Sequence, residues 1–456
     1  MYDPAFMTND SEFFRRTFEE QGIRKVRVGG FDVDGVLRGK FMHPEKFYSA
    51  LRHGFGFCDV IFGWDVDDKL YDNAKVTGWH TGYPDALAKI DPSTFRISPR
   101  EPDTALFLVD FFSDPSTPHP ACPRNLLKTV IARSESAGYQ PMFALEFEFW
   151  IFRETPQSLY DKGFDNLEPL TPGMFGYSWL RQTQMNPLVH DILDTMAAYK
   201  ITLEGIHTET GPGVWEACIK YDHALAAADK AAMFKTTLKE ICSRHGYTAT
   251  FMAKWSDKQA GSSGHMHQSL WDGAGTTNGF SSDSTSPLSP TGMHYLGGLL
   301  KTSRELTAVY APFTNSYRRY VPGVWAPTSA TWAIENRTCS ARVITGPTTS
   351  SSRIEFRQPG ADINPYTAVA AALGAGLHGI DNQIEAPPAT QGDATQSNEK
   401  LPRTLAEATA LLQASAVAPQ ILTPGFVDHY VRTRQWESRQ VDDDPIAERR
   451  RYFEVV

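Results

Sequence analysis

The chain is short of several things, and each shortage excludes a class of protein. Among 456 residues there are five cysteines, Cys58, Cys122, Cys218, Cys242 and Cys339, with no CxxC pair. Neither a disulfide framework nor a zinc knuckle is indicated, and a reducing cytoplasm is expected. Positive charge is also scarce: 44 Lys and Arg against 53 Asp and Glu leave a net charge of −9. A general nucleic-acid binder needs the opposite balance to displace counterions from phosphates. The longest apolar run, 368–380, contains His378 and is too short for a bilayer, so it reads as a buried helix. The N-terminus, acidic and broken by Pro4, lacks the features of a signal peptide. No GxxxxGK[ST] is present, which argues against a P-loop enzyme.

What is present is ample core material, with 41% hydrophobic and 12% aromatic residues. The first hundred residues read as short strands: one around Lys25 to Val28, and another beginning at Phe31 around the Asp34-Gly35 pair, a hairpin signal. Four prolines in 113–123 mark the expected domain boundary, giving domains at 1–115 and 116–456. A helical pattern begins at Arg124 and turns to strand at Phe143. The stretch 272–292 reads as an exposed insertion or mobile loop, and 387–400 is similar. Thr404 to Glu407 is a capping-box pattern opening an amphipathic helix. GxGxxG occurs at 374–379, inside an Ala-rich helical pattern with no strand before it, and reads as close helix packing.

The informative segments are apolar strands with charges on one face. In residues 143–152, FALEFEFWIF, the odd positions share one face and Glu146 with Glu148 share the other. Adjacent carboxylates raise each other's pKa unless a cation lies between them. RIEFR (353–357) places Arg353, Glu355 and Arg357 together, His265 and His267 share a face, and Glu209 and Glu216 flank a Gly-Pro-Gly turn. Singly, each is explained by an exposed polar face or a surface ion-pair ladder. Together, five glutamates and a histidine make hard ligands suited to Mg²⁺ or Mn²⁺, and arginines beside them suit phosphate and carboxylate oxygens. That combination is the apparatus of phosphoryl transfer.

Six ordered segments, ALEFEFWIF (144–152), ETGPGVWE (209–216), GSSGHMHQSL (261–270), NSYRRYVPG (315–323), ENRTCSAR (335–342) and RIEFRQPGADINPY (353–366), closely resemble the signatures of the glutamine synthetase family. The resemblance is greatest to its γ-glutamylamide synthetase branch. It implies an α+β fold: a small β-grasp-like N-terminal domain and a large catalytic domain with an open, funnel-shaped antiparallel sheet flanked by helices. It also implies two or three Mg²⁺ or Mn²⁺ ions and ATP. Glu148, Glu209 and Glu216 resemble the ligands of one cation, and Glu146, His265 and Glu355 those of the second. His267, Arg342 and Arg353 resemble phosphate-contacting residues of the nucleotide site. Arg319, Arg337 and Arg357 resemble the arginines that hold glutamate and the transferred phosphoryl group, with Gly261 touching the amino acid through its backbone. In the family mechanism ATP phosphorylates the γ-carboxylate of glutamate, and an amine displaces phosphate. Family active sites form between subunits of hexameric rings, often paired into dodecamers.

Three departures bear on substrate. Ammonia-using members read VPGYEAP where this chain reads VPGVWAP (321–327), so Trp325 replaces a proton-accepting glutamate. The ammonium-binding DGSS loop is missing. FGWDVDD (62–68) stands near its place, with Asp65 as the candidate replacement acid and Trp64 beside it. The adenylylated NLYDLP loop is replaced by SNEKLP (397–402), which argues against that control. Trp325, Trp64 and Tyr177 are therefore assigned to an amine pocket. The expected reaction joins L-glutamate to an organic amine, hydrophobic or aromatic such as aniline, or a small alkylamine. The alternative is an ordinary glutamine synthetase using ammonia. A non-catalytic relative would have lost metal carboxylates or phosphate arginines, and all of them are present. No membrane or nucleic-acid partner is expected.

Overall fold

Alternating residues from Lys25 build the first strand, β1 (Lys25–Phe31), which ends rather than begins again at Phe31. The Asp-Gly pair closes the turn as expected. Asp32 Oδ1 accepts from the N–H groups of Asp34 and Val36 at 3.0 and 2.9 Å, and Gly35 takes φ +83°. β2 (Leu37–Met42) follows, then β3 (Phe55–Cys58), β4 (Asp85–Ser98) and β5 (Glu101–Phe112). The sheet order is β2-β1-β5-β4-β3, with β1 and β5 parallel and the other pairs antiparallel, a β-grasp-like arrangement. Helices Ser11–Gln21 and Pro44–His53 close one face over a phenylalanine cluster in which Phe47 and Phe107 lie 4.7 Å apart. Truncating such a ring to alanine costs about 3–5 kcal/mol. The computed structural model describes Phe6 and residues 8–282, 285–397 and 400–456, so Asn398 and Glu399 of SNEKLP lie outside it.

After the proline-rich segment, helix Pro123–Ser136 starts with proline at its first position, where a missing N–H costs nothing. Its Arg124 is buried and reaches Asp110 on β5, Asp91 on β4 and Asp229 on helix Ala224–Arg244, at 2.8–2.9 Å. A buried guanidinium satisfied on three sides ties the small sheet to the rest of the chain.

The second sheet is built around β6 (Tyr139–Phe152), four residues longer at its start than the expected strand because Tyr139 still pairs with Asp272. It contains β7 (Leu203–Thr208), β8 (Val214–Ile219), β9 (Asp222–His223), β10 (Thr248–Thr250), β11 (Gly264–Asp272), β12 (Trp332–Ile334), β13 (Ala341–Ile344) and β14 (Arg353–Phe356). Its order is β12-β13-β14-β11-β6-β8-β7, with β9 and β10 also on β6. The expected antiparallel sheet is in fact mixed: β12 runs parallel to β13. Phe143, Leu145, Phe147, Phe149 and Ile151 are all buried, against helix Ala224–Arg244, whose Phe234 lies 6.2 Å from Phe147 and 6.0 Å from Phe149.

Helix Pro365–Asp381 is the buried helix expected from its apolar run. The GxGxxG glycines serve packing: a Cβ on Gly379 would sit 2.7 Å from the Cα of Gly298 on helix Pro290–Thr302. Segment 272–292 differs from a simple exposed loop, for Phe280 and Leu288 are fully buried and Phe280 packs 5.0 Å from Tyr295. The capping box at Thr404 is offset. Thr404 accepts from the N–H of Glu407, but Glu407 returns its bond to Arg403, one residue early. No helix among the described residues is long and apolar enough to cross a membrane.

Candidate active site

Cross-strand register, added to period-two alternation, assembles the site. β6 presents Glu146 and Glu148 on the face away from the core. Glu146 pairs with His265 on β11 and Cys218 on β8, while Glu148 pairs with Glu216 on β8. One strand further out, His207 on β7 is opposite Glu216, and Glu355 on β14 is opposite His267. Directly opposed side chains on one sheet face lie about 4.5–5.5 Å apart at Cβ, so one row of strands brings these groups within reach of shared ions.

The contacts follow that register. Glu146 Oε1 lies 2.8 Å from Nδ1 of His265, which is also 3.6 Å from Glu355. Glu146 Oε2 accepts from the Cys218 thiol at 3.2 Å and lies 3.6 Å from Nε2 of His267. Glu148 accepts from the Ser263 N–H at 2.7 Å. His207 is 3.2 Å from Glu216 and 3.7 Å from Glu209. Three sets offer ligand atoms within 4.8 Å of one another: Glu146, Glu216 and His265; Glu146, His267 and Glu355; His207, Glu209 and Glu216. The grouping differs from the two triads that the family resemblance implies, since Glu216 and Glu146 each serve two sets and His207 enters.

Burial and charge divide the carboxylates electrically. Burial, with Glu216 opposite, pushes Glu148 up to about 7, and burial raises Glu216 too. Burial works against Glu355 and Glu146 as well, but His265, Arg357 and His267 bring Glu355 down to about 2, and His265, hydrogen-bonded at 2.8 Å, together with nearby His267 holds Glu146 well below the usual range. Burial and then Arg357 lower His265 to about 4. Divalent cations fit this donor set: hard oxygens dominate, the carboxylates Glu148 and Glu216 oppose each other across β6 and β8, and buried Nε2 of His265 has no hydrogen-bond partner among the described residues. Of the residues that the family resemblance names as ligands, Glu146, Glu209, Glu216, His265 and Glu355 fall in the three converging sets, and Glu148 falls in none of them.

The arginines stand around this row. Arg357 bonds Glu355 and donates to the Arg337 carbonyl at 3.1 Å. Arg342 reaches Glu355 at 2.9 Å and also pairs with Glu335. Arg353 donates to His267 at 3.2 Å, and Arg337 is exposed. Arg319 is buried and donates to the carbonyls of Gln358 and Arg357 and to Ser263, at 2.9–3.0 Å. It therefore holds the backbone beneath the site, with only Nε unpartnered. Gly261 is required beside it, because a Cβ there would be 2.8 Å from both Arg319 Cγ and the Ala253 carbonyl.

A cavity of about 490 Å³ opens between β6, β8 and β11, with Glu146, His267 and Arg353 at its polar end and Tyr221 and Trp271 in its wall. Ring faces beside cations suit a nucleotide's base and phosphates. Sequence reasoning missed His207, Cys218, Tyr221 and Trp271. The period-two rule was available for the first two, which lie two residues before Glu209 and two after Glu216.

The residues assigned to the amine divide. Tyr177, 70% exposed with φ +56°, stacks on His207 at 4.3 Å. Trp325 is 68% exposed with φ +64°, and its carbonyl is 3.5 Å from Arg357 Nη2. Trp64 instead packs half-buried on the N-terminal core, beneath Arg38 at 5.1 Å. Asp65 requires a correction. It is 1% exposed, and its oxygens accept from Asp67 and Lys69 N–H groups, Trp436 Nε1 and Arg451. With every lone pair directed at the chain's own donors, it is a structural acceptor rather than a base for an incoming amine.

The fold and this site are those of an ATP-dependent ligase that forms C–N bonds between an acid and an amine. The profile described as glutamine synthetase, catalytic domain, matches residues 120–452, and the chain belongs to the glutamine synthetase family. It is 44% identical over 464 residues to type-1 glutamine synthetase 2 of Dictyostelium discoideum, covering 100% of this chain and 88% of that one. It is 38% identical over 431 residues to the glutamate–isopropylamine ligase of a Pseudomonas species, covering 93% and 94%. A solved GmaS/ADP complex superposes with a TM-score of 0.81 at 27% identity over 99% of both chains.

Proposed function

We propose that this enzyme makes a γ-glutamyl amide from L-glutamate and an organic amine, hydrophobic or aromatic such as aniline, or a small alkylamine. The observation that carries this reading is Trp325, an exposed indole whose main chain contacts Arg357 at the place where ammonia-using relatives keep an acid. An indole cannot accept the ammonium proton, but it offers an apolar face to an organic amine. The 38% identity to an isopropylamine ligase supports it.

In the proposed reaction, the glutamate γ-carboxylate attacks the γ-phosphorus of ATP and ADP leaves. The amine nitrogen then attacks the acyl carbonyl, the C–O bond to phosphate breaks, and the amine loses a proton. Arg337 and Arg357 neutralise the transferred phosphoryl group. Arg319 and Gly261 shape the glutamate end, and His267, Arg342 and Arg353 sit on the nucleotide's phosphate side. Bound Mg²⁺ or Mn²⁺ would supply charge neutralisation at the carboxylate row. The enzyme is proposed to act in the cytoplasm in amine catabolism, as a homo-oligomeric ring or paired rings with sites between subunits.

A phosphate-release assay with glutamate, ATP and a panel of isopropylamine, aniline and ammonia tests this. Highest kcat/KM for an organic amine supports the reading, and highest kcat/KM for ammonia overturns it in favour of an ordinary glutamine synthetase. That second reading is favoured by the 44% identity to a glutamine synthetase.

A further inference from the structure

A second cavity lies apart from the carboxylate row, between the N-terminal sheet and helix Ala224–Arg244, with a volume of about 280 Å³. Its lining carries three cationic side chains, Arg27, Lys40 and Arg96, and one acid, Glu240. Glu240 is engaged by Arg27, at 3.8 Å. Arg96 is the unusual member. It is only 8% exposed, donates through Nε to the Tyr199 carbonyl and through Nη1 to the Thr94 carbonyl, both at 2.9 Å, and makes no further hydrogen bond among the described residues. No carboxylate among them comes within ion-pair distance of it. Two carbonyl dipoles satisfy two donors but do not neutralise the charge, and a buried cation is normally paired.

Arg96 lines the cavity together with apolar residues, Leu106 and Leu108 from β5 and Met233 from the helix, and Leu106 pairs in the sheet with both Arg27 and Arg96. A planar guanidinium matches a carboxylate's two oxygens, while apolar walls disfavour a bare hydrated anion. The volume falls just under the usual range for ligand sites, about 300–1,000 Å³, which suits only a small molecule. A recess of about 450 Å³ adjoins the cavity, sharing Arg27, Tyr199, Thr237 and Glu240 with it. We propose that this cavity binds a small organic carboxylate, its oxygens on Arg96 and Arg27 and its apolar body against Leu106, Leu108 and Met233. The bound molecule would sit against the helix whose Phe234 supports Phe147 and Phe149 of β6.

Calorimetric titration of the full chain tests the proposal, with the catalytic site first saturated by Mn²⁺, ADP and glutamate. Benzoate and butyrate are the probes, and inorganic phosphate and neutral benzamide are the controls. The expected result is binding of a carboxylate probe but not benzamide, weakened about tenfold or more in Arg96→Gln, the equivalent of one charge-assisted hydrogen bond. Leu106→Trp, which fills the cavity and leaves Arg96 intact, is expected to abolish binding while glutamate-dependent phosphate release persists. This second variant keeps the test alive if Arg96→Gln fails to fold. No carboxylate binding at millimolar concentration overturns the proposal, as does unchanged affinity in either folded variant or phosphate binding as tight as the carboxylates.

Discussion

The two ends of the proposed active site are built differently. The carboxylate end stands on the strands β6, β7, β8, β11 and β14, and its groups are buried or half-buried and held by one another. The proposed amine end consists of Tyr177 and Trp325, both largely exposed and both on left-handed backbone that non-glycine residues rarely adopt. Strand register cannot slip by one residue without sending every side chain to the wrong face, so the part common to all substrates is rigidly specified. Loops tolerate change, so the part proposed to distinguish amines lies where substitution is cheap.

Breaking the carboxylate end should have the largest effect. Glu355→Gln removes the charge shared by His265, Arg342 and Arg357, and is expected to lower kcat about 10²–10³-fold for every amine alike, as loss of a key transition-state stabiliser does. Phosphate release across the amine panel checks it, and an amine-selective loss would erase the division. At the other end, Trp325→Glu is expected to lower the organic-amine to ammonia ratio of kcat/KM about tenfold or more, with Mn²⁺ affinity unchanged. An unchanged ratio would remove Trp325 from the amine pocket.

A pH experiment sharpens the same contrast. The folded pKa of Glu148, about 7, exceeds the ordinary glutamate value of about 4.3, so between these pH values the folded state holds a proton that the unfolded chain has released. Stability of the metal-free protein should therefore fall as pH rises through that window, by on the order of a few kcal/mol. Thermal melting in EDTA against Mn²⁺ measures it. The decline should vanish with Mn²⁺ and flatten in Glu148→Gln. Tyr177→Phe is the mildest change: losing one hydroxyl should alter the amine KM by only a few-fold, because the stacking on His207 remains.

How much of this was legible in the chain depends on the distance over which each feature is decided. The alternation at 143–152 located Glu146 and Glu148 on one face, and the structure keeps the odd positions in the core. The hairpin at Asp34-Gly35 and the glycines at 374–379 were legible for the same local reason. Asp65 was misjudged because its partners, Trp436 and Arg451, come from the far end of the chain, and nothing near position 65 announces them. Segment 272–292 looked loose from its composition, yet two apolar anchors, Phe280 and Leu288, hold it down.

The sequence alone thus determined which glutamates and arginines this protein has to work with, and on which face of their strands they stand, since backbone pleating is a local property. Tertiary structure alone decided that Glu216 faces Glu148, that His207 and Cys218 join the row, and that Asp65 is withdrawn from it. Those outcomes depend on strand register and on long-range packing, which become fixed only when distant segments close on one another.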